Sequence, residues 1–250
     1  MQTEKNIYFI SDVHLGFPNH KESLEREKKL VEWLDSIKNK TSELYLMGDI
    51  FDFWFEYKKV VPKGFTRFLG KIAEFTDSGI PVYFFTGNHD LWVFGYLQQE
   101  IGVELIRKPV IKEFSGKKFY LAHGDGLGPH DKKYKFLKAI FTGKVFQWIF
   151  HRFHPNFGIC IAHSWSRKSR YSKPHPEKTL KGIENEWLVQ YSNKILKTND
   201  IDYFIFGHRH IPIQHKLNEK SVFVNLGDWI NNYTYACFDG KKLFLEKYPE

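Results

Sequence analysis

The chain has 250 residues with 42% apolar content, which is enough for one large α/β domain or two small ones around an ample core. Only Cys160 and Cys237 are present, which argues against a disulfide framework and favours a reducing compartment. The first apolar run is short, which argues against a signal peptide. No apolar run approaches the roughly 18 residues of a membrane span, which argues against a transmembrane helix. The formal net charge is +8, and its uneven distribution is informative.

Short runs rich in β-branched and aromatic residues alternate with helical patterns along most of the chain. Between the first two runs, and again between the second and third, apolar residues recur at helical spacing, and Gly79 ends the second of these helices. This alternation predicts an α/β sheet covered by helices. The runs that predict buried strands are "IYFIS" (7–11), "LYLM" (44–47), "VYFFT" (82–86), "FYLAH" (119–123) and "YFIFGH" (203–208).

The pattern changes at the end of the chain. The segments "SVFVNLGDW", "YTYACFDG" and "KLFLEKY" predict consecutive strands joined by short turns. Asp239-Gly240 between the last two is typical of a tight hairpin turn. We therefore expect the α/β region to finish in a short run of strands without helices.

Residues 132–176, called the insert below, interrupt the α/β rhythm. They hold ten Lys or Arg and no Asp or Glu, whereas the rest of the chain has 27 basic and 29 acidic residues. The insert is also rich in Phe and Trp at helical spacing. We interpret it as a helical cap on a core formed by residues 1–131 and 177–250, with a surface for a phosphate, a nucleic acid or a lipid headgroup. In the alternative interpretation, its aromatic residues simply pack on the main core and its cations are solvated.

Polar side chains follow each of the five predicted α/β strands. In open α/β sheets, binding sites form at the carboxyl ends of strands, so residues far apart in sequence should converge there. Residues two apart on an extended chain, such as Asp12 and His14, should face the same side. The residues at the five strand ends are Asp12 and His14, Gly48 and Asp49, Asn88 and His89, His123 and Asp125, and His208 and His210.

Carboxylate, imidazole and amide groups without thiolate are typical ligands of Mn²⁺, Fe or Zn²⁺. Two Asp, four His and one Asn are too many for one ion, and they indicate two ions that share a carboxylate. A single Asp-x-His or His-x-His is more often a surface or core pair with no metal. Five such signatures, each closing a strand, are hard to explain by structural need alone.

These five blocks, in this order, resemble the calcineurin-like metallophosphoesterase superfamily. The matching blocks are Asp12-x-His14, Gly48-Asp49-x-x-Asp52, Gly87-Asn88-His89-Asp90, His123-Gly124 and Gly207-His208-x-His210. The resemblance covers almost the whole chain. It implies a four-layer α-β-β-α sandwich with two divalent metal ions. We predict that both ions are Mn²⁺, with Fe or Zn²⁺ as alternatives.

The resemblance also implies a role for each residue. One ion would be held by Asp12, His14, Asp49 and His210, and the other by Asp49, Asn88, His123 and His208, with Asp49 as the bridge. His89 would protonate the leaving group or neutralise charge on the phosphate, with Asn88 beside it. Asp52 and Asp90 would orient imidazole or backbone groups around the ligands, and Gly87 would permit the turn.

Three further segments resemble a narrower family, the UDP-2,3-diacylglucosamine hydrolases of lipid A synthesis: "MGDIFDFWF" (47–55), "HGDGLGPHD" (123–131) and "VNLGDW" (224–229). That family cleaves a pyrophosphate to give UMP and lipid X, and its helical cap holds the acyl chains. The resemblance implies a cytoplasmic enzyme, peripheral on the inner membrane, with a lipid-linked nucleotide sugar as substrate and an anionic membrane surface as partner. The implied substrate-binding residues are Asn88, His89, Asp131, Ser169, Lys173 and His208.

One departure from the narrower family stands at position 89, where those enzymes have Arg and this chain has His. The His form is the common one in the superfamily, so the departure concerns the substrate and not the reaction class. A metal-dependent phosphodiesterase or nuclease is the alternative enzyme, although we expect no nucleic-acid partner because the basic region is compact. A binding scaffold without activity is the third class, and the complete ligand set argues against it.

Overall fold

The computed structural model describes residues 5–128, 132–161, 164 and 182–249. These residues form strands, α-helices and a 3₁₀ turn at Ile183–Asn185. The strands are β1 (Asn6–Ile10), β2 (Thr41–Leu46), β3 (Val82–Phe85), β4 (Glu104–Ile106), β5 (Val110–Phe114), β6 (Lys117–Leu121), β7 (Tyr203–Phe206), β8 (Pro212–Lys216), β9 (Val222–Leu226), β10 (Thr234–Phe238) and β11 (Leu243–Lys247). The helices are α1 (His20–Lys38), α2 (Thr66–Asp77), α3 (Tyr96–Gln99), α4 (Lys132–Thr142), α5 (Lys144–Phe150) and α6 (Trp187–Leu196).

The strands form two sheets, in the orders β11-β10-β1-β2-β3-β4 and β5-β6-β7-β9-β8. In the first sheet β1 to β4 are parallel, and Tyr45 of β2 lies in register with Phe9 on one side and Tyr83 on the other. In the second sheet β6, β7 and β9 are parallel, and antiparallel β5 and β8 form its edges. Parallel strands deliver their carboxyl ends to one edge, which is where the predicted ligands lie.

Apolar side chains divide the molecule into four layers. The two sheets face each other across a core that contains Phe9, Phe119 and Val224. The outer face of the first sheet packs against α1 and α2 through residues such as Leu34 and Phe68. The outer face of the second sheet packs against α6. The α-β-β-α sandwich predicted from the sequence is therefore confirmed.

The helix starts show how local sequence fixes this layer. Asn19 caps α1 by accepting a hydrogen bond from the Glu22 N–H at 3.1 Å, and its amide donates to the Glu22 carboxylate at 2.7 Å. The start of α2 is capped from α1, because the buried Glu27 carboxylate accepts from the N–H groups of Arg67 and Phe68 at 2.9 and 3.1 Å. This contact sets the position of α2 beside α1.

All five predicted α/β strands are present, and Gly79, at φ 77°, follows α2 as predicted. The prediction missed β4, β5 and β8. The three tail strands are also present, but they do not form one meander: β9 belongs to the second sheet, whereas β10 and β11 form a hairpin on the first. The segment between β9 and β10 therefore crosses from one sheet to the other beside the ligand edge.

The described part of the insert is helical, with α4, α5 and a further helical stretch over residues 155–161. Phe141, Phe146 and Phe150 pack on Phe53, Phe55 and Trp92 of the core loops. Other large apolar side chains of the insert are exposed. The packing interpretation is thus right for one face of the insert only, and the domain division at 132–176 stays a prediction. Within the described residues, no helix is both long enough and apolar enough to cross a membrane.

Candidate metal centre

The loop after β1 turns through left-handed backbone at both ligand positions. Asp12 has φ 54° and His14 has φ 48°, so the chain is not extended here, and the extended-chain argument for this pair was wrong. Hydrogen bonds hold the conformation: the Asp12 carboxylate accepts from the Ser11 hydroxyl at 2.6 Å and from the His208 N–H at 2.8 Å. Tertiary contacts, and not strand alternation, bring the two side chains together.

The same backbone strain recurs at other ligand positions. Asp49 has φ 53°, and His208 and His210 have φ 68° and 55°. Left-handed conformations cost side-chain-bearing residues free energy, and they persist where surrounding structure enforces them, often at functional sites. Within the described residues, five of the eight non-glycine residues with positive φ are predicted metal ligands. The strain is therefore concentrated at the predicted site.

Two glycines allow these loops to pack against each other. A Cβ atom on Gly87 would collide with the Asp49 carboxylate, and one on Gly207 would lie 2.5 Å from Oδ2 of Asp12. No side chain larger than hydrogen fits at either position. Glycine beside a ligand can serve a sharp turn or a close approach, and at Gly87, which has no positive φ, close approach is what requires it.

Asp12, His14 and His210 form the first group of converging ligand atoms. Oδ1 of Asp12 lies 3.3 Å from Nε2 of His210 and 3.7 Å from Nε2 of His14. The two Nε2 atoms are themselves 3.3 Å apart, with the rings stacked at 5.0 Å between centroids. Two imidazole nitrogens and a carboxylate oxygen aimed at one point form a site for a cation.

Asp49, His123 and His208 form the second group. Oδ2 of Asp49 lies 3.4 Å from Nε2 of His123 and, on its other side, 3.8 Å from Nε2 of His14. Asn88 joins this group, since its Oδ1 is 2.9 Å from Nδ1 of His208. Asp49 thus lies between the two groups, the position that a bridging carboxylate needs.

Two buried atoms show that a divalent cation fits these groups. Oδ1 of Asp12 and Nε2 of His123 have no hydrogen-bond partner among the described residues, and buried polar atoms are rarely left so. Nδ1 of His123 donates to the Met47 carbonyl at 2.9 Å, which turns Nε2 towards Asp49. The donor set contains oxygen and nitrogen without thiolate, as suits Mn²⁺, Fe or Zn²⁺.

The electrostatics of the groups are strongly coupled. Burial alone would raise the pKa of Asp12 and of Asp49, but nearby imidazoles, His210 and His123 respectively, outweigh it and hold both pKa values below the usual range. Burial would lower the pKa of His123, and the Asp49 carboxylate overrides it and raises this pKa to about 10. Burial, with His123 nearby, lowers the pKa of His208 to about 4, which keeps that imidazole neutral and ready to bind a metal.

Asp52 and Asp90 support the site. Asp90 accepts hydrogen bonds from the N–H groups of Gly87 at 2.6 Å and Ile50 at 2.9 Å, which ties two ligand loops together. Burial, and then Asp49, raise the pKa of Asp90 to about 7. The Asp52 backbone oxygen lies 2.9 Å from Nδ1 of His89. Both contacts agree with the predicted orienting roles.

His89 lies at the open side of the site. Because a carbonyl only accepts, Nδ1 of His89 donates to the Asp52 carbonyl, and this hydrogen bond orients the imidazole ring. One nitrogen of His89 also lies within 4.8 Å of the ligand atoms of His14 and Asp49. This position suits a group that acts on a substrate next to the ions, and it also suits a ligand. The role of His89 stays a prediction.

Two further residues support the site: Asp228, which was not predicted, and Asp125, which was predicted only as a strand-end residue. Asp228 lies 3.4 Å from Nδ1 of His210, and its Oδ1 accepts from three backbone N–H groups of residues 230–232. Asp125 forms a 2.6 Å ion pair with Lys138 of α4, which joins the His123 loop to the insert. Asp228 follows β9, so the strand-end argument extended to the tail would have identified it. Asp131, Ser169 and Lys173, predicted substrate contacts, lie outside the described residues.

Comparison with known proteins identifies the class. The calcineurin-like phosphoesterase family matches residues 5–212, so the chain belongs to this family, and the predicted class of metal-dependent hydrolase is confirmed. A protein of Porphyromonas gingivalis named UDP-2,3-diacylglucosamine hydrolase is 40% identical, over 96% of each chain. A protein of the same name from Histophilus somni is 27% identical, over 90% of this chain and 92% of that one.

Solved structures show a more distant likeness. The phosphoesterase Yfce of E. coli aligns over 95% of this chain and 90% of its own, at 14% identity and a TM-score of 0.45. This likeness is too distant to inform the site.

Proposed function

We propose that the protein is a dimetal phosphoesterase that hydrolyses the pyrophosphate bond of UDP-2,3-diacylglucosamine to UMP and lipid X. The observation that carries the proposal is the convergence of seven ligand side chains beside a basic, aromatic insert that is bonded to the site through Asp125 and Lys138. The relative from Porphyromonas gingivalis, similar over nearly its full length, supports the choice of substrate.

Two ions fit the proposed ligand sets. Asp12, His14 and His210 would hold one, Asn88, His123 and His208 the other, and Asp49 would bridge them. We propose Mn²⁺, with Fe or Zn²⁺ as alternatives that the same donors accept. When bound, the ions supply positive charge that stabilises the phosphoryl group and activates water.

The protein's own groups do the rest. His89 lies beside the ligand atoms of His14 and Asp49, and the Asp52 carbonyl orients its ring, so it would protonate the leaving phosphate oxygen or neutralise charge on the phosphate. The narrower family that the chain resembles typically has Arg at this position, which provides charge but gives up no proton at physiological pH. His89 therefore makes the rate of this enzyme sensitive to the ionisation of an imidazole. Asn88, Asp131, Ser169, Lys173 and His208 are the proposed substrate contacts.

The insert supplies recognition of a lipid-linked substrate. Its cations complement the two phosphates, and the partly buried rings of Phe141 and Phe146, at the margin of the aromatic cluster, offer apolar surface to acyl chains. Each methylene that leaves water contributes about 0.8 kcal/mol, so two acyl chains would dominate affinity. Such a substrate resides in a membrane. We therefore place the enzyme in the cytoplasm, peripheral on the inner membrane, with anionic lipid as its partner.

The test is a product assay with Mn²⁺ on four substrates: UDP-2,3-diacylglucosamine, its deacylated form, bis(4-nitrophenyl) phosphate and single-stranded DNA. The proposal requires UMP and lipid X as products and much the highest kcat/KM on the diacylated compound. Efficient cleavage of DNA would select the nuclease instead. No turnover of any substrate by metal-loaded protein would select the binding scaffold.

A variant pair tests the acyl contact. Phe146→Ser alters the aromatic cluster, whereas Phe244→Ser removes a partly exposed ring from β11. We expect Phe146→Ser to lower kcat/KM on the diacylated substrate at least about tenfold while bis(4-nitrophenyl) phosphate is little affected, because about two buried methylene equivalents are worth that factor. Equal losses on both substrates would mean that the cluster only stabilises the fold.

A further inference from the structure

A groove of about 630 Å³ lies on the outer side of the insert, between α5 with its following turn and two loops of the core. Lys144, Trp148, His151 and Arg152 line it from the insert, and Lys58 and Phe94 line it from the core. None of these residues is a candidate metal ligand. The groove is thus distinct from the metal centre, although Phe94 also contacts the aromatic cluster that anchors the insert.

The sequence of α5 explains why the groove is preformed. Lys144, Trp148 and His151 recur at spacings of four and three, so they share one face of the helix and of the turn that continues it. Phe146 and Phe150 lie on another face and pack into the aromatic cluster with Trp92 and Phe55. That packing anchors α5 and holds the groove face in place.

The groove is built for an anion. Lys58, Lys144 and Arg152 are exposed, and within the described part of the chain none of them forms an ion pair with a carboxylate. The described lining contains no acidic residue. The Cζ atom of Arg152 lies over the Trp148 ring, 4.7 Å from its centroid, and this cation–π contact restrains the guanidinium beside the groove. Planar guanidinium with two ammonium groups favours phosphate oxygens.

Exposed apolar side chains lie close to these cations in the chain. Val145 is 73% exposed, Trp148 60% and Ile149 44%, all on α5, and Val60 is 48% exposed in the loop that carries Lys58. A free phosphate or nucleotide would not need this apolar rim. Aromatic and aliphatic side chains beside lysine and arginine are typical of surfaces that lie at the interface of an anionic bilayer.

We infer that the groove binds the headgroup phosphate of an anionic phospholipid and that Val145, Trp148 and Ile149 enter the adjacent acyl region. The inference rests on the proposed function, because a membrane-resident substrate gives the enzyme a reason to dock. It identifies the surface that docks, and it places the membrane against the outer face of the insert.

Vesicle binding tests the site without any substrate. The probe is vesicles of 30% phosphatidylglycerol in phosphatidylcholine, with pure phosphatidylcholine for comparison. The variant Lys58→Gln/Lys144→Gln/Arg152→Gln removes the groove cations, and Lys28→Gln/Lys241→Gln/Lys242→Gln removes the same charge from exposed positions elsewhere. At roughly fivefold per basic residue, the groove variant should bind anionic vesicles on the order of 100-fold more weakly, with the control variant nearly unchanged. Equal losses, or no loss in the groove variant, would overturn the site.

A second measurement locates the membrane. Phosphatidylglycerol with brominated acyl chains should quench the fluorescence of bound protein, and Trp148→Phe should remove most of that quenching. Unchanged quenching in Trp148→Phe would overturn the docking surface. Turnover of bis(4-nitrophenyl) phosphate and the product assay are measured separately, so a wrong substrate would appear there while vesicle binding reports only on the groove.

Discussion

The edge of the sheets that carries the candidate metal ligands, called the ligand edge, buries charged and polar side chains. The outer face of the insert exposes apolar side chains, so both regions reverse the usual distribution of side chains in a folded protein. At the ligand edge, Asp12, His14 and Asp49 are fully or almost fully buried charged or polar groups. On the insert, Trp148 and Val145 are apolar and mostly exposed. Burying charge and exposing apolar surface both cost free energy. Each region therefore points to something the protein binds.

The two regions differ in how they tolerate that cost. Hydrogen bonds from backbone N–H groups, as at Asp90 and Asp228, hold the ligand edge together from several strands. Among the described residues, the contacts that attach the insert to the core include one aromatic cluster, the Asp125–Lys138 ion pair and a 2.7 Å hydrogen bond from Trp92 to the Phe141 carbonyl. We conclude that the ligand edge is preformed for chemistry and that the insert is adapted to contact. The predictions below test this contrast, from the largest expected effect to the smallest.

Asp49→Ala should abolish activity and remove at least one ion, because Asp49 lies between both ligand groups. Elemental analysis of metal-loaded protein and the diesterase assay measure the two effects. Asp35→Ala, which removes an exposed carboxylate from α1, is the matched control and should change neither. Retention of two ions per chain by Asp49→Ala would refute the bridging role.

His89→Ala should keep both ions yet lose roughly 10²–10⁴-fold in kcat, as for loss of a general acid. The structure makes this test decisive, since His89 lies close enough to His14 and Asp49 to be a ligand instead. His154→Ala in the insert is exposed and serves as the control. Loss of an ion with the activity would make His89 a ligand and end its assignment as proton donor.

Phe150→Ala and Trp148→Ala compare the two faces of α5. Phe150 is buried among Phe55 and Trp92, so its truncation should cost about 3–5 kcal/mol and lower the melting temperature by on the order of 10 °C. Trp148 is exposed, and its truncation should cost no more than about 0.5 kcal/mol. Thermal unfolding followed by circular dichroism measures both. Similar shifts for the two variants would contradict the two-faced insert.

Metal affinity should rise with pH. In the metal-free protein Asp49 raises the pKa of His123 to about 10, so a proton occupies this ligand at neutral pH and a metal ion must displace it. Because one proton is displaced, the apparent metal affinity should increase about tenfold for each unit by which the pH is raised, as long as the pH stays below that pKa. Mn²⁺ titration against a chelator between pH 6.5 and 8.5 measures the slope, corrected for the chelator's own protons. A flat affinity would show that His123 is not protonated in the free site.

The convergence of the strand-end residues could be predicted because it depends on a general rule. Buried parallel strands are recognisable from runs such as "VYFF", and their ends meet at one edge whatever the loops do. The left-handed backbone at Asp12 and His210 could not be predicted, because contacts between distant loops enforce it. The partner of Gly87 could not be predicted for the same reason, since the space that its missing side chain leaves is occupied by Asp49.

The missed strands and the two faces of the insert have another cause. β4 has only three residues, β8 begins with Pro212, and β5 is a partly exposed edge strand, so none shows a buried run. In the insert, Phe146 and Trp148 are both large aromatic residues of one helix, and the sequence does not distinguish them. Only the rotation of α5 against the core decides which side chain is covered. Asp228 was within reach of the strand-end rule but lay outside the α/β repeat to which the rule was applied.

The reactivity of the two cysteine thiols compares the core with the insert, and it is the smallest effect that we predict. Cys160 is exposed in the helical stretch at 155–161, whereas Cys237 is buried in β10. Burial raises the pKa of Cys237 to about 11, so at pH 8 only about one molecule in a thousand carries the reactive thiolate there. Ellman's reagent should therefore label one thiol of the native protein within minutes and the second only in denaturant. Cys160→Ser should abolish the rapid phase without altering diesterase activity. A rapid phase that persists in Cys160→Ser would mean that β10 opens readily and that the core is less rigid than the contrast requires.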